Sequence, residues 1–297
     1  APLTDLQPGL PDRYDPLKNT AMIHDALILG IRDYFSKMGF SKAIVASSGG
    51  IDSAVVLALA AEALGAANIR ALLMPSQFSS DHSVNDAVAL AENLGCHYDK
   101  IAIEPVFDAF ESALHPVFNG LPFNVTEENL QARIRGTMVM ALSNKFGAIL
   151  LNTSNKSELA TGYGTLYGDM AGGLSVIGDL YKMQVYAIAN YINRNGTIIP
   201  QNIIDKAPSA ELRPGQKDSD SLPEYPHLDT ILYQYIERRL GPAEIVAMGY
   251  DASLVNRILK MVNSNEYKRN QFCPIIRVSP KAFGVGRRVP IVGKYLS

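Results

Sequence analysis

The densest chemistry in this chain lies in Ser47-Ser48-Gly49-Gly50-Ile51-Asp52-Ser53. The apolar run Ala43 to Ala46 precedes it and reads as a buried strand. Ala54-Val55-Val56-Leu57-Ala58-Leu59-Ala60-Ala61 follows, too long and too rich in Ala and Leu for a second strand, so a helix is predicted. A strand, a Gly/Ser turn and a helix aim backbone N–H groups and the positive end of a helix dipole at one point, which suits a phosphate. Gly49 and Gly50 permit close approach of the backbone, and Ser47, Ser48 and Ser53 add hydroxyls. Asp52 would repel phosphate unless a cation lay between them, so a Mg²⁺ bridging Asp52 to phosphate oxygens is the economical reading. A plain turn with Asp52 capping a helix is the bland alternative, and it leaves the full string unexplained. No Gly-Lys-Ser/Thr follows, so the loop is not of the Walker A kind.

The elements that must hold this loop follow an alternating order. A helix is expected from about Thr20 to Met38, stopped by Gly39. Ile69 to Met74 reads as a second strand, Pro75 to His82 as a loop, and Val84 to Leu94 as a helical stripe. Tyr98 to Ile103 reads as a third strand, Pro105 to Phe118 as a helix, and Thr126 as the N-cap of a long helix ending near Lys145. Ala148 to Asn152 is a fourth strand. The fold class is therefore α/β, a doubly wound parallel sheet with flanking helices. Ligands of such sheets bind beyond the carboxyl ends of the strands.

Thr153-Ser154-Asn155-Lys156-Ser157-Glu158 follows the fourth strand at once and reads as a second polar turn beside the first, with Glu158 as the second Mg²⁺ carboxylate. The stretch Thr161 to Gly173 crowds glycines and hydroxyls and suits close contact with a ligand. Lys182 opens a helix, where the dipole disfavours a cation, which suggests that it serves an anion. Asn129 and Arg133 share a helix face, for which a solvated polar face is the ordinary explanation. Pro208 to Tyr225 reads as a mobile loop, with 209–223 a lid. His227 to Arg239, Pro242 to Met248 and Asp251 to Asn265 read as helices, and the basic tail from Tyr267 as packed rather than as a nucleic-acid arm.

Composition sets limits. The 297 residues are 47% hydrophobic with a net charge of −2, enough for a full core and without a basic field for tRNA or DNA. Cys96 and Cys273 stand in no metal-type spacing and suit a reducing compartment. No apolar stretch reaches the ~18 residues of a membrane span, and no signal peptide is evident, so a cytoplasmic place is expected. Residues 1–17 carry Pro2, Pro8, Pro11 and Pro16 and read as an extended linker, with the domain proper at 18–297. The start at Ala1 is what a piece excised from a longer protein would show.

The first loop resembles the SGGxDS loop of the PP-loop ATP pyrophosphatases. Taken with Asn155-Lys156-Ser157-Glu158-Leu159-Ala160, Gly162 to Asp169, Pro208 to Pro214 and Glu266-Tyr267-Lys268-Arg269, the chain from about residue 20 onward resembles an NAD⁺ synthetase, specifically the synthetase domain of the glutamine-dependent kind. That resemblance implies ATP at Ala46, Ser47, Ser48, Gly49, Gly50, Ile51, Asp52, Ser53, Thr153, Lys182 and Ser209. It implies deamido-NAD⁺ at Asn129, Arg133, Glu158 and Lys268, and Mg²⁺ at Asp52 and Glu158. It further implies amidation of deamido-NAD⁺ through an adenylate, a homodimer, and a glutaminase domain in the parent protein, with ammonia as the nitrogen donor for this chain. Ala46 stands where the family usually has glycine, and Asn270 where a second arginine is common. A GMP synthetase or asparagine synthetase type of PP-loop partner, and a non-catalytic nucleotide-binding module, are the alternatives.

Overall fold

The computed structural model describes residues 14–293. The expected arm at 1–17 lies almost wholly outside them. Five parallel strands form one sheet: β1 (Ala43–Ala46), β2 (Ile69–Leu73), β3 (His97–Lys100), β4 (Ile149–Asn152) and β5 (Leu174–Ser175), in the order β3-β2-β1-β4-β5. The chain winds outward from β1 to β3 and then returns to β1's other side as β4. The switch point therefore lies between β1 and β4, and the Gly/Ser loop leaves β1 there.

Side chains alternate across the sheet as the period of two demands. Ala43, Val45, Ala71, Leu73 and Leu151 enter one core with α1 (Thr20–Met38) and α2 (Ile51–Leu64). Ile44, Leu72 and Leu150 point the other way, into a smaller core beneath α4 (Glu104–Phe118) and α5 (Val125–Phe146); α3 (Asp81–Leu94) lies on the α2 side. α2 is buried almost all round from Ile51 to Ala61, which explains its near-continuous Ala/Val/Leu sequence.

Beyond β4 come α6 (Lys156–Thr161), α7 (Lys182–Ile192), α8 (Gln201–Asp205), α9 (Tyr225–Ile236), α10 (Pro242–Ala247), α11 (Ala252–Ser264) and α12 (Glu266–Arg269). α6, α9 and α11 share a third core with Phe283 of the tail. The tail also covers the β5 edge: Ser175 N–H donates to Pro274 O at 2.8 Å, and Ile276 N–H donates to Ser175 O at 3.1 Å. The packed tail expected from its prolines is what the fold contains.

Several boundaries differ from the sequence expectation, each for a local reason. The long helix is capped by Asn124 and not by Thr126: Asn124 Oδ1 accepts Thr126 N–H at 2.8 Å, and Glu127 reaches back to Asn124 N–H at 2.7 Å. The third strand runs His97–Lys100, because Ile103 adopts helical dihedrals to start α4. The polar turn after β4 becomes a helix at Lys156, nucleated by a capping box of Asn155 and Glu158. The helix expected from His227 begins at Tyr225 and ends at Ile236. β5, α8 and α12 are two to five residues long and gave no periodic signal.

One buried ion group ties these layers together. Lys156 is fully buried, with its Nζ 2.9 Å from Asp179 and 2.8 Å from Glu237 of the segment after α9. It also donates to Ser279 Oγ of the tail at 2.8 Å. Asp179 in turn accepts the Val278 and Ser279 amides. Removing the ammonium would leave two carboxylates uncompensated, at a cost of about 3–5 kcal/mol. Lys156→Met should therefore lower the unfolding free energy by about that amount in urea titration, whereas a surface lysine change should stay within about 0.5 kcal/mol. A midpoint equal to that of the unaltered chain would contradict this account.

Candidate active site

A cleft of about 870 Å³ opens at the carboxyl ends of β1, β2 and β4. The Gly/Ser loop forms its floor. Ser47 N–H still donates to Leu72 O at 2.9 Å, so the sheet ladder extends one residue past β1. Ser53 Oγ then folds the turn, accepting Ser48 N–H at 3.2 Å and donating to Gly50 O at 3.0 Å. Gly49 takes φ +76°, and a Cβ there would lie 2.1 Å from the Ser83 carbonyl oxygen. Only glycine lets the turn press against α3 in this way. The first-turn amides Ile51, Asp52 and Ser53 face the cleft with no carbonyl of their own helix to meet. The Ser47 hydroxyl is buried and lacks a protein partner among the described residues.

Three chain segments converge on one ammonium. Lys182, the first residue of α7, places Nζ 2.5 Å from Asp52 Oδ2 and 3.8 Å from Glu158 Oε1. Asn155 Nδ2 donates to the other Asp52 oxygen at 2.9 Å, and Glu158 Oε2 accepts Asn155 N–H at 3.1 Å. Burial and the Asp52 charge push Glu158 well above the ordinary carboxylate range, against the pull of Lys182. Burial alone would lower the Lys182 pKa, but Asp52 and Glu158 outweigh it and the net shift is upward. The lysine is thus a fixed cation. The anion that it meets is the protein's own carboxylate pair.

The site holds more negative than positive charge. Asp218 lines the same cleft and adds to the field at Glu158, while its oxygens accept the Tyr225 and Tyr163 hydroxyls at 2.8 and 3.2 Å. No group of three or more acidic, His or Cys side chains among the described residues could hold a metal unaided. Two carboxylate oxygen donors beside a loop of free amides are nevertheless a set that Mg²⁺ takes when phosphates and water complete its shell. Asp52 and Glu158 fit that ion.

The other expected residues divide. Thr153, Ser209, Asn129 and Lys268 all line the cleft. Asn129 Oδ1 accepts the Thr165 hydroxyl at 2.8 Å, so it supports the Gly-rich loop that it faces. Gly168 of that loop lies so close to α5 that a Cβ would meet the Ala132 backbone at 2.9 Å. Lys268 Nζ donates to Gly162 O and Gly164 O at 2.7 Å each, and burial lowers its pKa. Ser209 Oγ donates to Gln216 O at 2.6 Å, closing a turn. Arg133 is not brought into the cleft: it is exposed and donates to Leu166 O at 3.3 Å. Arg135 lines the cleft in its place, donating to Met74 O at 3.0 Å, with burial lowering its pKa to about 10.

The segment expected as a lid spans the cleft mouth. Glu211 accepts the Ser83 hydroxyl at 2.6 Å, Leu212 O accepts Gln131 Nε2 at 2.9 Å, and Arg213 pairs with Glu128 at 3.2 Å. Sequence reasoning missed Asn155, Arg135 and Asp218. Asn155 had a signal, since Asn followed three residues later by Glu is the capping-box spacing.

With this geometry in place, similarity to known proteins decides the family. A family model described as NAD synthase matches residues 23–272. The chain belongs to the NAD synthase family. It is 51% identical over 276 residues to the glutamine-dependent NAD(+) synthetase of Synechocystis sp., covering 93% of this chain and 50% of that one. The solved glutamine-dependent NAD+ synthetase of Acinetobacter baumannii, in complex with ADP, is 43% identical with a TM-score of 0.63, again over 93% of this chain and 50% of that one. The NH3-dependent NAD synthetase of Campylobacter jejuni is 30% identical with a TM-score of 0.67, over 84% of this chain and 95% of that one. The chain spans about half the length of the curated relatives that it matches. No helix among the described residues is long and apolar enough to cross a membrane.

Asp52→Asn keeps the hydrogen bond that Asn155 can make but removes the charge facing Lys182, and with it one of the two carboxylates that would hold Mg²⁺. Turnover should fall at least ~10²-fold, the scale for losing a preorganised charge partner. Near-normal turnover of that variant across a Mg²⁺ titration would contradict the assignment.

Proposed function

We propose that this chain amidates deamido-NAD⁺ to NAD⁺ at the expense of ATP, with ammonia as its nitrogen donor. The observation that carries this reading is the meeting of Asp52, Glu158 and Lys182 beside the Gly/Ser loop, in a chain of this family. The nicotinate carboxylate attacks the α-phosphorus of ATP and pyrophosphate departs. The acyl adenylate then receives ammonia at its carbonyl carbon, loses a proton and releases AMP. No side-chain nucleophile is required.

The residues divide this work. The amides of Ile51, Asp52 and Ser53, with the Ser47 hydroxyl, meet the phosphate oxygens on which charge accumulates. The Lys182 ammonium adds a fixed positive charge at the same place. Mg²⁺, held by Asp52 and Glu158, would supply divalent counter-charge to the phosphates. Asn129, Lys268 and the 161–171 loop that they hold form the wall for the dinucleotide, with Arg133 at its outer side. The 209–223 segment covers the mouth and keeps water from the adenylate.

Ammonia is the donor assigned because Cys96 and Cys273 offer no glutaminase. Burial pushes Cys96 up to about 11 and Cys273 up to about 12, away from thiolate at neutral pH. A glutaminase domain in a longer parent is in keeping with relatives of about twice the matched length. With deamido-NAD⁺, ATP and Mg²⁺, ammonium should support NAD⁺ formation and pyrophosphate release. Glutamine freed of ammonia should not. Equal rates with both donors would overturn the donor assignment, and pyrophosphate release that ignores deamido-NAD⁺ would overturn the substrate.

A homodimer belongs to the same reading. Val106, Phe110 and Val117 of α4, Leu121 and Phe123 after it, and Val125 at the start of α5 are exposed, Val117 by 77% and Leu121 by 72%. Phe123 and Val125 also line the cleft, and the exposure of the others is in keeping with a surface that another chain covers. Sedimentation should give about twice the 32.3 kDa chain mass, and Val117→Glu with Leu121→Glu should give the monomer. A monomeric parent chain at the same concentration would rule the dimer out.

A further inference from the structure

Lys182 is aimed from the first turn of α7, and that turn has an unusual cap. The residue before it, Tyr181, makes no side-chain cap bond to its amides. Two other helices provide the acceptors instead. Ser157 Oγ of α6 accepts Lys182 N–H at 3.0 Å. Asp229 Oδ2 of α9 accepts Met183 N–H at 2.8 Å. The two acceptors are themselves joined, because Ser157 Oγ donates to Asp229 Oδ1 at 2.5 Å. Asp229 is completely buried in the middle of its helix, where a carboxylate is costly unless its oxygens are spent in this way.

A negative charge is favoured at the positive end of α7, as a capping carboxylate in the same chain segment would be. The difference is that this cap links three helices. α6 carries Glu158, adjacent to Ser157, and α7 carries Lys182, adjacent to Met183. The relay therefore fixes the spacing between the ammonium and one of the two carboxylates that it serves. A slip of the first turn of α7 would carry Lys182 Nζ away from Asp52.

We propose that Asp229, acting through Ser157 and the Met183 amide, is a positioning residue for the adenylation step: it sets the aim of Lys182 without touching the substrate. The inference rests on the amidation reading for its kinetic test alone. Burial raises the Asp229 pKa to about 7, with Ser157, Met183 and Lys182 pulling it down and Asp52 pushing it up. The Tyr14 and Tyr181 hydroxyls face the same charge. Both acceptor oxygens are available when Asp229 is ionised, above about pH 7, and one becomes a donor when it is protonated.

The test is ATP–pyrophosphate exchange driven by deamido-NAD⁺, which needs no ammonia, on Asp229→Asn and Ser157→Ala. Each should lower kcat about 10-fold at about pH 8, with KM for ATP within about twofold. The ratio of wild-type to Asp229→Asn rate should shrink as the pH falls to about 6, since protonated Asp229 loses the same acceptor; Glu158 is common to both proteins and cancels. Wild-type exchange by Asp229→Asn at about pH 8 would overturn the proposal. A wild-type chain that performs no exchange would remove the amidation reading instead. The crystal structure of Asp229→Asn then decides the positioning role: Lys182 Nζ displaced from Asp52 supports it, and an unmoved Lys182 overturns it.

Discussion

The contact between Lys182 and Asp52 is the constraint around which the site is built. Removing an ammonium and a carboxylate from water costs several kcal/mol per ion, and their attraction offsets that only if the remaining donors and acceptors are also met. Here they are met. Asp52 takes one bond from Lys182 and one from Asn155. Glu158 takes the Asn155 amide and stands behind the ammonium. The group joins the start of α2, the start of α6 and the start of α7. Three helix N-termini thus meet at one point, each contributing positive dipole to a place rich in carboxylates. A polyphosphate entering this cleft meets amides and an ammonium already oriented, with little reorganisation left to perform.

α6 is only six residues long, so it cannot hold its own geometry by helix cooperativity. Its two ends are held from outside. The capping box of Asn155 and Glu158 satisfies the first turn, and the tail satisfies the last. Arg269 of α12 donates to Leu159 O at 3.0 Å, to Ala160 O at 2.9 Å and to Val262 O. Asn265 donates to Thr161 O at 2.9 Å, and Lys268 takes the Gly162 and Gly164 carbonyls. A residue expected to meet substrate, Lys268, therefore also finishes the helix that carries Glu158. The basic tail is a structural clamp on the site. Lys156, its first residue, fastens the same helix to Asp179, Glu237 and Ser279.

The parts of this arrangement that were legible in the sequence share one property: they depend on local order. The strand-loop-helix around Ser47 to Ser53, the polar stretch after β4 and the lysine opening α7 each follow from neighbours along the chain. The sheet class followed from the same alternation. Its edge did not, because β5 has two residues and is completed by the distant Pro274 to Ile276 strip. Asn155, Arg135 and Asp229 were missed for a related reason. Each has an ordinary local role, as cap, helix-face cation or core-facing helix residue, and acquires its partner from a segment far along the chain. Arg133 shows the reverse. Its spacing from Asn129 was read correctly, yet the Gly-rich loop meets the two side chains at different depths. Asn129 reaches Thr165 inside the cleft, and Arg133 reaches Leu166 O at its exposed side.

The charges of the site also decide where its pH response must come from. Lys182 is held above its ordinary pKa by two carboxylates, so it stays protonated throughout the neutral range. Arg135, lowered only to about 10, does the same. Burial moves Lys268 toward neutrality as well, but the groups that gain protons as the pH falls are acids. Glu158 is raised by burial and by Asp52, and Asp229 is raised by burial to about 7. Both shifts have the same sign, so lowering the pH adds protons to acceptors and leaves the cations untouched. A divalent cation between Asp52 and Glu158 would reverse the shift at Glu158, because it favours the ionised carboxylate. It would have less effect on Asp229, which lies behind Ser157 and faces the backbone of α7. With such an ion bound, Glu158 would answer to the metal and Asp229 to the pH, one beside the Gly/Ser loop and one behind the helix that carries Lys182.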